Sequence, residues 1–174
     1  MKQTQEQRVA AFQRLADQRL DASYRLATAI MRDDGEARDA VHDAVVLAWQ
    51  RWSSLRDPSK FDAWFDRIVV NVCRNRLKAS KYRRVADIAQ AESLTTPDLT
   101  PQVHRRIVVS QALAGLKPDD IVVIVLRHFL DFQMDDVATL LDIPVPTAKG
   151  RLRAAMSRLQ KQLEQPTGID KVTP

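Results

Sequence analysis

Cysteine is almost missing: Cys73 is the single one in 174 residues. No internal disulfide can form, and no cysteine-rich zinc site can be built. Long apolar runs are absent too. None is longer than Ile121 to Leu126, which is far too short to span a bilayer. The opening residues MKQTQEQR hold no apolar core for a signal peptide, so a cytoplasmic protein without membrane contact is expected. The makings of an enzyme are also lacking. The chain shows no paired carboxylates in a recognisable cleft, no metal-ligand spacing and no glycine-rich phosphate loop. His42, His104 and His128 are scattered. No catalysis, metal or cofactor is expected. Glycine is scarce at 4, while 45% of the residues are hydrophobic and 28% charged. That balance suits a mostly helical soluble chain with a real core, in one or two small domains.

What is present is positive charge, unevenly placed. The net charge is +5. Phe65 to Arg84 holds Arg67, Arg74, Arg76, Lys78, Lys81, Arg83 and Arg84 against Asp66 alone, whereas Val85 to Val103 holds Asp87, Glu92 and Asp98 and no cation. A second basic stretch follows near the C-terminus. From Met134, Val137, Ala138, Leu140 and Leu141 recur at helical spacing, with Asp135 and Asp136 suiting the positive end of that helix. Ile143-Pro144-Val145-Pro146 cannot continue it, and Pro146 suits a first helical residue. Leu152, Ala155, Met156, Leu159 and Leu163 then form an apolar stripe, and Lys149, Arg151, Arg153, Arg158 and Lys161 lie off it. No acidic residue occurs between Thr147 and Leu163. Such a pair is a helix-turn-helix whose second helix suits the major groove. The alternative is a helical hairpin with a solvated basic face, but exposed helices normally mix both signs.

Taken in order, Gln5 to about Met31 has helix-forming composition, with Val9, Phe12, Leu15, Ala16, Tyr24, Leu26, Ala27 and Ile30 as core candidates. Asp33-Asp34-Gly35 interrupts, and a second helix covers about Glu36 to Trp52 with Ala37, Ala40, Val41, Ala44, Val45 and Ala48 inward. Asp39, His42, Asp43, Leu47 and Trp49 fall on its other faces, a mixture that commonly receives a protein partner. The alternative is a plain bundle helix. Ser53 to Lys60 reads as a loop around Asp57-Pro58, and Phe61 to about Ser80 as a third helix. Asn71, Arg74, Asn75, Arg76 and Lys78 give that helix groups able to bond base edges and phosphates. A loop leading into it could seat unpaired bases, although Trp49, Trp52 and Trp64 read better as core anchors. Thr95 to Pro101 breaks regular structure. Arg105 to Leu116 and Asp119 to about Phe132 are further helices. The β-branched run at 121–126 could be a strand, but no partner strand exists, so a helix is expected.

The order of these pieces resembles a bacterial sigma factor of the extracytoplasmic-function class. The resemblance is carried by YRLA at 24–27, DAVHDAVVLAW at 39–49, FDAWFDRIVVNVCRNRLK at 61–78 and the helix-turn-helix stretch of 112–159. It implies an all-α chain of two small domains joined by a flexible linker. Residues 1–84 would bind core RNA polymerase and open the promoter, 85–104 form an acidic linker along the RNA exit path, 105–164 carry the helix-turn-helix, and 165–174 form a disordered tail. Asp39, His42, Asp43, Leu47 and Trp49 would dock the clamp helices of the largest polymerase subunit, and the polymerase flap is a further expected contact. Ser53, Ser54, Leu55, Arg56, Asp57 and Lys60 would belong to the loop that captures a flipped minus-ten base. Asn71, Asn75, Arg76, Lys78, Arg83 and Arg84 would meet the minus-ten element as its strands part. Thr147, Lys149, Gly150, Arg151 and Arg153 would touch the minus-thirty-five element. An anti-sigma factor is a further expected partner. The chain departs from the family pattern at His42, Gln133, Asp142, Pro146, Gly150 and Ala154, where glutamine, serine, glycine, glycine, serine and arginine respectively are usual. A helix-turn-helix regulator that never meets polymerase is the competing reading, and it requires the face of Asp39, Asp43 and Trp49 to be buried.

Overall fold

Phe12, Ala16, Ser23, Leu26, Ala27 and Ile30 recur at three- and four-residue steps, and helix α1, Gln5–Met31, buries all of them on one side. In the computed structural model, residues 5–87, 112–113 and 115–164 are described, with side chains only to 80 in the first stretch. The expected linker beyond 87, the start of the second domain, the tail at 165–174 and the side chains of Arg83 and Arg84 lie outside the described residues.

Helix α2, Asp34–Gln50, starts where the Asp33 side chain accepts from the Glu36 amide at 2.8 Å, one donor that a helix N-terminus would otherwise leave unmet. Ala37, Ala40, Val41, Ala44 and Ala48 form its buried face. Four alanines in that row let α2 lie close against α1 and against α3, Phe61–Asp87. Two short 3-10 turns, Trp52–Ser54 and Pro58–Lys60, bridge α2 to α3. The three tryptophans are core anchors, as their spacing suggested. Phe12 meets Trp49 edge-on at 5.3 Å and Trp52 at 5.5 Å, and Phe61 stacks on Phe65 at 5.4 Å. Edge and offset contacts of this kind add to area burial. The carboxylate of Asp66, only 4% exposed, accepts two bonds from Arg19, at 3.0 and 2.5 Å. Breaking that pair would strand a buried charge, so it staples α1 to α3.

In the second group of helices the first described residues, Ala112 and Leu113, are helical. Helix α4, Pro118–Ile124, is buried nearly all round, as a continuous β-branched run with no strand partner requires. It does not run on uniformly to Phe132. A π-helical turn, Val125–Phe129, intervenes, and the Leu130 and Phe132 amides reach back to the carbonyls of Val125 and Leu126 at 3.0 and 2.9 Å. Helix α5, Met134–Leu141, and helix α6, Val145–Glu164, complete the fold. Every element among the described residues is a helix and none is a strand, in two groups, the second containing the helix-turn-helix.

Boundaries and three core assignments differ from expectation: Gly115 and Leu116 lie outside helix, and α6 starts at Val145. α2 ends at Gln50 rather than Trp52, α3 runs to Asp87, and α4 starts at Pro118. Nothing from Lys81 to Asp87 breaks a helix, since the first proline after it is Pro97. Tyr24, Met156 and Leu163 are exposed, not core. The two groups touch: α3 packs on α4 and α5. Asp119 meets Arg74 at 3.7 Å and Lys78 at 3.5 Å, and Asp142 pairs with Arg67.

Candidate nucleic-acid interface

The turn of the helix-turn-helix depends on one residue in an unusual backbone state. Asp142 ends α5 at φ 56°, ψ 48°, a left-handed geometry that aspartate tolerates better than most side chains. Its amide donates to the Thr139 carbonyl at 3.2 Å, and the Ile143 amide reaches the Ala138 carbonyl at 3.0 Å, closing the end of α5. The Pro144 carbonyl then accepts from the Ala148 amide at 3.0 Å, which opens α6 at once. The proline-rich turn therefore holds α5 and α6 at a defined angle.

Along α6, Ala148 and Ala155 are buried and Leu152 and Leu159 half-buried against the domain. Thr147, Lys149, Gly150 and Arg153 face solvent. A Cβ placed on Gly150 would meet nothing within 4 Å, so this stretch of backbone is open. Arg151 is half-buried, and its buried Nη1 has no hydrogen-bond partner among the described residues. Arg158 belongs elsewhere: it donates to buried Asp120 at 2.7 Å and ties α6 to α4. Spacing alone put Arg158 on the same basic face as Lys149, and the structure removes it.

The loop before α3 is more ordered than its composition suggests. Asp57 accepts from the Ser59 amide at 3.0 Å and from its hydroxyl at 2.7 Å. These bonds hold its carboxyl below the usual carboxylate range. Leu55 is half-buried against the core, while Ser53, Ser54, Arg56, Asp57 and Lys60 face solvent. On α3, Asn75 is exposed, but Asn71 donates to the Arg67 carbonyl of its own helix at 2.9 Å. Lys78 meets Asp119, and Arg76 is engaged by carboxylates of α2.

On α2, Asp39, His42 and Asp43 face solvent, whereas Leu47 and Trp49 are half-buried and Trp49 packs on Phe12. Val46 was not singled out from the sequence. It is 44% exposed and lies three and four residues from Asp43 and His42, on their face. An apolar side chain left outside on an otherwise amphipathic helix was the available signal. The acidic face is open, so the condition for a regulator that never meets polymerase is not met.

Two family descriptions match the chain: Sigma-70 region 2 over residues 15–83 and Sigma-70, region 4 over residues 106–159. The ECF RNA polymerase sigma factor SigM of Mycobacterium tuberculosis is 31% identical over 140 residues, which is 80% of this chain and 70% of that protein. The chain belongs to the extracytoplasmic-function sigma factors. The RNA polymerase sigma-E factor of Streptomyces avermitilis is 29% identical over 156 residues, 90% of this chain and 87% of its own length. CnrH, solved in complex with the cytosolic domain of CnrY, shares the fold, with a TM-score of 0.58 at 23% identity over 90% of this chain and 89% of that one. In this sigma factor, α1 to α3 carry the region 2 match, and α4 to α6 the region 4 match. It is a promoter-specificity subunit, with core RNA polymerase and promoter DNA as partners. Among the described residues no helix is long and apolar enough to cross a membrane.

Proposed function

We propose that this sigma factor reads a minus-thirty-five element with α6, reads and helps to melt a minus-ten element with α3 and the loop before it, and has no catalysis of its own. The observation that carries this reading is the open face of α6. Thr147, Lys149, Gly150 and Arg153 face solvent there, and none of its cations is paired with a carboxylate among the described residues. Arg151 joins them, with an unmatched guanidinium nitrogen. Cations left unneutralised on a helix that projects from a tight turn suit phosphates and base edges of the major groove.

In the same reading, Ser53, Ser54, Leu55, Arg56, Asp57 and Lys60 hold a base turned out of the duplex. Asn71, Asn75, Lys78, Arg83 and Arg84 follow the parting strands. Asp39, His42, Asp43, Leu47 and Trp49, with Val46 added, meet the clamp helices of polymerase, and its flap is a further contact. Residues 85–104 follow the RNA exit path, and the protein works in the cytoplasm. CnrH and the RpoE of Bartonella quintana were each solved with a partner, CnrY and the anti-sigma factor NepR respectively. We extend to this chain a protein partner of the anti-sigma class.

The test is transcription by bacterial core polymerase on a library of promoter fragments, with and without the protein. Transcripts that require it, and that share two spaced sequence elements, are the expected result. Transcripts that share only one element would remove one of the two DNA contacts. Within that assay, Lys149→Ala and Arg153→Ala are each expected to weaken promoter binding. Each should also lower the slope of log affinity against log salt by about one, the yield of one phosphate contact.

A further inference from the structure

Arg76 lies in the basic run of α3 expected to meet DNA, yet its guanidinium faces α2. Nη2 lies 2.6 Å and Nε 3.1 Å from the same oxygen of Asp43. Nη1 lies 3.0 Å from Glu36 and 3.9 Å from Asp39. The bonds to Asp43 outweigh partial burial and raise the guanidinium pKa above its ordinary value. Glu36, Asp39 and Asp43 follow one another at three- and four-residue steps, so they share a helix face and repel one another. The cation that pairs with all three of them, Arg76, comes from a different helix. A planar fork can bridge several carboxylates at once, which a lysine ammonium cannot do with the same geometry. The Arg76 side chain is 28% exposed, and three of its five N–H donors are already engaged by carboxylates of α2.

We infer that Arg76 is a positioning residue for the polymerase-binding face of α2 and does not read promoter DNA. It holds the Asp43 and Asp39 carboxylates in a fixed array on the solvent side of α2, and it ties that array to the helix that meets the minus-ten element. Groups already held in their bound arrangement lose less freedom on binding. The inference rests on the proposed role of α2, and it moves Arg76 from one interface to the other.

The experiment measures affinity for bacterial core polymerase with the dye-labelled full chain, well below its melting transition. The proteins compared are the wild type, Arg76→Ala, Asp43→Asn, the double variant and Arg76→Lys. Arg76→Ala and Asp43→Asn are each expected to weaken binding about tenfold. The double variant should be within about twofold of the weaker single, because both remove the same array. Arg76→Lys keeps a charge among the carboxylates without the fork and should fall between Arg76→Ala and the wild type, which guards against a folding defect in the alanine variant. With polymerase saturating, Arg76→Ala holoenzyme should bind forked minus-ten DNA as tightly as wild type. Wild-type polymerase affinity in Arg76→Ala overturns the inference. So does a loss of fork binding with polymerase affinity intact, which would make Arg76 a DNA reader. Failure of the wild type itself to bind core polymerase overturns the reading of α2 and the inference with it.

Discussion

At the residue scale, identical letters do different work according to what faces them. Lys149 and Arg153 look outward, Arg158 closes on buried Asp120, and Arg76 sits among three carboxylates. Sequence supplies the charge of each but not its partner, because the partner lies 33 to 40 positions away. Cys73 shows the same dependence. Burial pushes its thiol from an ordinary 9.0 up to about 12. The folded state then keeps a proton that the unfolded chain releases, so this group lowers stability as pH rises from 9.0 toward 12. An alkylating reagent at about pH 8 should leave the native protein unmodified and label it once urea is added, since only thiolate reacts; labelling of native protein would show that α3 opens. Gly150 gives a two-sided expectation. Alanine there meets no neighbour and should stabilise α6 by about 1 kcal/mol, read from urea unfolding. If DNA approaches the helix backbone there, the same methyl should weaken promoter binding; unchanged affinity would mean that the backbone stays clear of DNA.

At the scale of elements, the periodicities were good guides and the junctions were not. The stripe of α1 and the alanine row of α2 follow directly from spacing. The run at 121–126 is helical despite its β-branched content, because burial on most sides outweighs a weak propensity. The π turn after it left no mark in the apolar pattern. Within it Phe129 is 76% exposed. The hold of α4 on α6 gives a direct measurement. Removing the Arg158 side chain leaves the buried Asp120 carboxylate without its partner, and Arg158→Ala should cost about 1–3 kcal/mol in urea unfolding. No change would mean that water or another group takes over the carboxylate.

At the scale of the whole molecule, the two helical groups meet through opposite charges. Arg67, Arg74 and Lys78 of α3 face Asp142 and Asp119 of the second domain. The match is incomplete: Arg74 Nε and Asp119 Oδ1 are buried and within ion-pair reach of each other, but neither is hydrogen-bonded among the described residues. Contacts of this kind weaken as salt screens them, the Debye length falling from about 10 Å at 0.1 M to about 3 Å at 1 M. The radius of gyration from small-angle X-ray scattering should therefore grow with salt. Asp119→Asn combined with Asp142→Asn should give the larger value already at low salt. A radius indifferent to both would assign the contact to apolar packing between α3 and α5.

The buried faces of the helices and the proline turn before α6 were determined by the sequence alone, because apolar steps and turn residues act within a turn or two. The motifs at 24–78 and 112–159 likewise carried the family, since their order survives at modest identity. The tertiary structure alone decided which cations remain open to DNA. That depends on carboxylates brought from distant helices, at distances where one or two ångströms separate an engaged guanidinium from an available one.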